Sequence, residues 1–243
     1  MQLPVIQGVI DRRLLINYRV DPVCLQRVVP VPFRPQLVNG YGIAGVCLIR
    51  FRGLRPRGWP ATLGFSSENA AHRIAVEWDE RGKTRSGVYV LRRQTNSHWN
   101  TWAGGWLFPG CTDRRRFAVD ETRSRLCVAV IDPDGDTDFD VAVRVADEWP
   151  AGSVFADAAA ASRFFEAGVI GYSPSQNARR LEGLELCCRD WRVEPLAIER
   201  VNSRFFENAV SFPSGSTELD CGLLMRGIEH EWRSVPDISS PAV

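Results

Sequence analysis

The side chains best suited to chemistry in this sequence are His98, Glu68 and Arg73. An imidazole titrates near pH 6.5, so His98 can exchange protons under cellular conditions. It lies between Asn96 and Asn100, with Trp99 and Trp102 following, an arrangement of amides and apolar rings suited to holding a small molecule. Glu68 against an apolar wall would have a raised pKa and act as acid or base. Arg73 in the same pocket would bind a substrate carboxylate through two parallel hydrogen bonds. Arg50, Arg52, Arg92 and Arg93 are further carboxylate anchors. Strand alternation allows only one of Arg92 and Arg93 to face a cavity, and Arg93 joins Arg73, Asn96, Asn100, Tyr89, Trp99 and Trp102 in the expected binding set. Each has a structural alternative. His98 can cap a helix or pack beside tryptophan, and Glu68 with Arg73 can be an ion pair that orders a sheet.

Other chemistries find less support. A Schiff base with a carbonyl substrate needs a lysine, and the only lysine is Lys83, in the polar run Asp79-Glu80-Arg81-Gly82-Lys83. The other 29 of the 30 basic residues are arginines. His72 and His230 stand alone, and alternation turns Glu229 and Glu231 away from His230, so no metal site is expected. Asp132, Asp134, Asp136 and Asp138 mimic a calcium loop, but the sixth and twelfth positions are Thr137 and Val143 where glycine and glutamate are required. That run reads as a hairpin turn. Cys187 and Cys188 would point to opposite faces of a strand. No GxSxG or GxxxxGK[ST] pattern occurs, which removes the main support for serine-hydrolase and P-loop readings, and no cofactor is expected.

Bulk properties agree with a small-molecule protein. The chain has 243 residues, 44% hydrophobic, and a formal net charge of +1. That near-neutral balance gives no field for a polyanion, so nucleic acid is not an expected partner. No apolar run approaches the ~20 residues of a membrane helix, and residues 1–11 lack the pattern of a secretory signal. Seven cysteines, an odd number with no CxxC, argue against a disulfide scaffold and for a reducing, cytoplasmic setting.

Periodicity places these residues on a largely extended chain. Val23 to Val29 makes two helical turns before Pro30, Pro32 and Pro35 forbid continuation. Tyr41 to Phe51 is a buried strand. Ile74 to Trp78 and Val88 to Arg93 form a hairpin about the turn that holds Lys83. Ser97 to Phe108 is predicted helical, with Trp99, Trp102, Ala103 and Trp106 on one stripe. Strands follow at Arg116 to Val119, Ser124 to Ile131 and Phe139 to Val145. A helix from Val154 to Ala167, capped by Ser153, precedes strands at Leu181 to Cys188, Val193 to Val201 and Glu218 to Trp232. Residues 1–235 are expected to form a single domain and 236–243 a flexible tail. Mostly strands joined as hairpins, with few helices, means a large antiparallel α+β fold.

The run Phe51-Arg52-Gly53-Leu54-Arg55-Pro56-Arg57-Gly58-Trp59-Pro60 resembles the F-R-x-x-x-x-R-P-x-G-x-P segment of domain-of-unknown-function family 2071, also called YqjF-like, grouped with the acetoacetate decarboxylase-like fold. Tyr18-Arg19-Val20-Asp21-Pro22 is similar to its hY-x-V-D-P segment, Ser67-Glu68-Asn69 with Arg73 to P-E-x-N-x-R, and Gly87-Val88-Tyr89 to G-V-x-F. Asp190 to Leu196 resembles its H-x-P-W-x-x-x-P strand, so the likeness runs in order from Arg13 to Trp232. The resemblance implies a large bent sheet forming a cone or pseudo-barrel around a small-molecule cavity, with a few flanking helices, and it implies self-association as a homo-oligomer. It does not carry the decarboxylase reaction, because the position that follows the hairpin reads Asn96-Ser97-His98-Trp99-Asn100, without lysine. Arginines common in the family's next helix are His98 and Gly105 here, and the histidine of the late segment is Cys188 or Arg189. The expectation is a small-molecule enzyme doing lyase- or isomerase-type acid–base chemistry on a small oxo- or hydroxy-acid. The alternative is a non-catalytic binder of a small carboxylate in the same cavity.

Overall fold

The computed structural model describes residues 4–97, 112–175 and 180–239. Strand β1 (Ile6–Val20) leads into helix α1 (Pro22–Val28), the short strands β2 (Arg34–Pro35) and β3 (Leu37–Val38), and the long β4 (Tyr41–Pro56). The hairpin strands β5 (Phe65–Glu80) and β6 (Lys83–Thr95) follow, then β7 (Thr112–Arg114), β8 (Arg116–Glu121), β9 (Arg125–Ile131) and β10 (Thr137–Val145). Helix α2 (Ala158–Ala167) precedes β11 (Ile170–Pro174), β12 (Arg180–Cys188), β13 (Glu194–Ser203) and β14 (Thr217–Ser239).

All these strands join one sheet with the central order β1–β4–β5–β6–β11–β12–β14–β13–β10–β9–β8. The pairings are antiparallel except β6 with β11 and with β7. The 23-residue β14 also pairs with β1, from Ile6↔Trp232 to Val20↔Thr217, while its distal half pairs with β12. The hydrogen-bonding path through β1, β4, β5, β6, β11 and β12 therefore returns to β1 through β14.

Local chemistry explains the element ends. The β5–β6 turn has positive φ at Arg81 (50°) and Gly82 (75°), the backbone that a tight two-residue hairpin demands. Asp21 caps α1 by accepting from the amides of Val23 and Cys24, with Pro22 in the first turn, where a missing N–H costs nothing. Helix α2 starts at Ala158 rather than Val154. Asp157 is its cap, accepting from the Ala160 amide, while the Ser153 hydroxyl lies ahead of the helix, accepting from the Phe155 amide at 3.1 Å and donating to Asp220 at 2.8 Å. Residues 236–239 are not a loose tail. Ile238 and Ser239 pair with Leu181 and Arg180, and the Pro236 carbonyl accepts from the Tyr172 hydroxyl.

The sheet is buried on both faces. On one side Leu14, Ile16, Val46, Leu48, Ile74 and Val76 pack with Val128, Val141 and Leu224. On the other, Leu15, Cys47, Ile49 and Ala75 pack with Leu223 and with Phe155 and Phe165 around α2. Burying Phe165 alone contributes ~2 kcal/mol and holds α2 over β4 and β5.

Candidate functional site

Between α2 and the sheet lies a cavity of about 100 Å³, walled by Ile49, Ala71, Val90, Phe165, Trp191 and Trp232 among others, and faced by Arg13, Arg73 and Arg93. Each arginine arrives there by strand register. Arg13 alternates with Arg12 on β1, so the two point to opposite faces. Asn17, Gly45 and Arg73 stand directly opposite one another across β1, β4 and β5. Gly45 places no side chain between the other two, and Arg73 Nη2 crosses β4 to donate to Asn17 Oδ1 at 2.5 Å. Asn17 is oriented for this by donating its own amide to the carbonyls of Leu15 and Cys221, each at 3.2 Å.

Arg93 depends on a bulge. His72 pairs with Arg92 and Arg73 with Val90, which leaves Leu91 as an extra residue on β6. In unbroken alternation Arg92 would share the cavity face with Val88 and Val90. The bulge passes that face to Arg93, while Arg92 turns to Asp138 on the other side at 3.0 Å.

The three guanidinium groups are held by neutral partners. Arg13 Nε donates to Cys47 Sγ at 3.2 Å, its Nη1 approaches Met225 Sδ at 3.7 Å, and its charge sits 5.6 Å from the Trp191 ring. Arg73 lies 4.7 Å over Phe165, and its Nε has no hydrogen-bond partner among the described residues. Arg93 Nε donates to Ser173 Oγ at 3.1 Å. None of the three makes an ion pair among the described residues, and the remaining residues (1–3, 98–111, 176–179 and 240–243) contain no Asp or Glu. Burial pushes both Arg73 and Arg93 down to about 10, so both remain cationic at neutral pH. Buried charge without a counter-charge is costly, and a bound anion would relieve that cost.

Glu68 does not share this cavity with Arg73. An odd spacing along β5 puts it on the opposite face, where it accepts from Arg12 Nη2 at 2.5 Å and from Arg50 Nε at 2.6 Å. Glu121 closes the set, 3.2 Å from Arg12 and 3.0 Å from Arg50. Tyr89 likewise faces away, packed 6.1 Å from Phe33 in the larger core, because only its neighbours Val88 and Val90 reach the cavity. Asn96 is exposed, and its Oδ1 accepts from the Glu68 amide at 2.9 Å, which ties the end of β6 to β5. His98, Trp99, Asn100 and Trp102 lie outside the described residues. Lys83 is exposed at the hairpin turn, away from the cavity. Asp132, Asp136 and Asp138 bind Arg204, Arg92 and Gln94 around the β9–β10 turn.

Sequence reasoning missed Arg13, Asn17 and Cys47. Their signal is weak because β1 and β4 are buried on both faces, so no apolar–polar alternation marks the cavity side.

Residues 10–218 match the family DUF2071, described as an uncharacterized conserved protein. No curated protein shows significant similarity to the chain. Among solved structures, the acetoacetate decarboxylase of Legionella pneumophila is similar at 12% identity and a TM-score of 0.62, covering 96% of this chain and 88% of that one. An acetoacetate decarboxylase-like enzyme from Sphingomonas wittichii RW1 has 16% identity and a TM-score of 0.59, covering 98% and 93%. The enduracididine biosynthesis enzyme MppR complexed with pyruvate has 12% identity and a TM-score of 0.62, covering 98% and 91%. The chain belongs to the DUF2071, or YqjF-like, family, and its mostly antiparallel, helix-flanked sheet has the fold of these acetoacetate decarboxylase structures.

Proposed function

We propose that this protein binds a small carboxylate, an oxo- or hydroxy-acid, in the cavity faced by Arg13, Arg73 and Arg93, with the sheet serving as a cone around the ligand. The observation that carries this reading is three arginines aimed into one apolar cavity with no acidic partner among the described residues. The Arg73 guanidinium, buried beside Phe165, attracts an anion more strongly than the same group in water. A volume near 100 Å³ corresponds to ~3 waters, which suits an acid of few carbons. Calorimetric titration with pyruvate, lactate and acetate tests it. Arg73→Gln is expected to weaken binding at least ~10-fold through loss of a charged hydrogen bond. No heat and no thermal stabilisation with any of the acids would refute it.

The enzymatic reading rests on the same arginines. Cations in a dry site stabilise negative charge that develops when a proton leaves the carbon beside a carbonyl, which is the first step of lyase- or isomerase-type chemistry. His98 is the proposed proton carrier. Exchange of the methyl protons of pyruvate for deuterium, followed by NMR, reads this step directly. Exchange at the buffer rate, or exchange unaffected by His98→Gln, would leave binding as the function.

A further inference from the structure

The three arginines do not converge on one point. In the strand order β14–β1–β4–β5–β6–β11, Arg73 leans from β5 over Gly45 to Asn17 on β1, and Arg13 is held between Cys47 on β4 and Met225 on β14. Arg93 leans the other way, from β6 to Ser173 on β11. Their electrostatics agree with this geometry. Arg13 lowers the proton affinity of Arg73 but is not among the groups that act on Arg93. The cavity therefore has two guanidinium groups at one side, a third at the other, and an uncharged floor that includes Cys47 and Ala71.

Resting on the carboxylate reading above, we infer that the cavity selects a short dicarboxylate, a dianion of three or four carbons with one carboxylate between Arg13 and Arg73 and the other at Arg93. A monoacid neutralises one end and leaves the half-buried Arg93 without a counter-charge, an unfavourable arrangement for a partly desolvated cation. A diacid pairs both ends, and each new charged hydrogen bond is worth about a tenfold gain or more. The small volume limits length, so discrimination falls off on both sides of the fitting chain. The uncharged floor has no group that would repel the middle of the ligand.

The test is calorimetry on the whole chain with malonate and succinate against propanoate and butanoate, plus inorganic phosphate as a compact multivalent anion. The better diacid is expected to bind at least ~10-fold tighter than the monoacid of equal carbon number. Arg93→Gln is expected to lower diacid affinity at least ~10-fold more than monoacid affinity, since it removes the second anchor. If Arg93→Gln does not fold cooperatively, Ser173→Ala, which frees the Arg93 head from its hydrogen bond, should lower diacid affinity selectively. Equal binding of mono- and diacids overturns the dianion inference and leaves the carboxylate site standing. So does equal weakening of both classes by the Arg93 variant, or phosphate binding as tightly as the diacids. Failure of every acid to bind overturns both.

Discussion

Replacing Arg73 by methionine separates a binding residue from a structural one. The arginine is 4% exposed, and among the described residues its one side-chain hydrogen bond is to neutral Asn17. Burial lowers its pKa by more than two units, to about 10. At ~1.4 kcal/mol per pKa unit, keeping it charged in the folded state costs about 3 kcal/mol. Methionine has a similar length, no charge, and packs well against the Phe165 ring. The substitution leaves Asn17 Oδ1 without its donor, a loss of ~1–2 kcal/mol. The balance is a folded state more stable by about 1–2 kcal/mol, or a rise in Tm of ~2–8 °C for a chain of this size. The same variant should lose carboxylate binding at least ~10-fold. Urea unfolding followed by tryptophan fluorescence, with calorimetry on the same preparation, measures both quantities. Destabilisation by more than ~1 kcal/mol with ligand affinity intact would refute the reasoning and make Arg73 a structural residue.

Glu68→Gln should behave in the opposite way. It uncouples Arg12, which is 1% exposed, from its carboxylate, and breaking such a pair costs ~3–5 kcal/mol, while acid binding in the separate cavity stays unchanged on titration. His72 and His230 are both held down to about 4 by burial, against 6.5 in the unfolded chain. The unfolded state takes up these protons as pH falls through 6.5, and the folded state only near 4. Stability is therefore full above 6.5 and falls between about 6.5 and 4, by ~3 kcal/mol for each histidine. Urea midpoints across that range check this, and His230→Phe should remove about half of the slope. Lys83→Arg should leave ligand affinity unaltered, and borohydride in the presence of pyruvate should trap no adduct on the wild type, as intact mass would show. Gly45→Ala should fail to fold normally, because the new Cβ would stand 2.2 Å from the Ile16 carbonyl oxygen.

What could be read from the residues depended on how local the governing interaction was. The Arg81-Gly82 turn and the Asp21-Pro22 helix start are decided within a few residues, and both follow from the sequence. The start of α2 does not, since Ser153 and Asp157 are both good caps, and Ser153 serves the Phe155 amide and Asp220 of β14 instead. The odd spacing of Glu68 and Arg73 on one strand sets them on opposite faces, and that parity is legible in the sequence. Choosing Arg93 over Arg92 needs the bulge at Leu91, which has no local signature there. Arg13 is hidden because Arg12 beside it has the same chemistry, and their fates differ only through partners on β4, β5 and β14.

The double pairing of β14 sets an order of assembly. Leu14 meets Leu224, roughly 200 residues later in the chain. During synthesis at ~5–20 residues per second, β1 waits tens of seconds with one edge uncovered, the condition under which strands associate with other chains. The last strand supplies Met225 and Trp232 to the arginine cavity as well as the missing neighbour of β1. A nascent chain released before that strand therefore lacks both a finished sheet and a finished pocket, so ligand-dependent protection from protease should emerge only once β14 has cleared the ribosome.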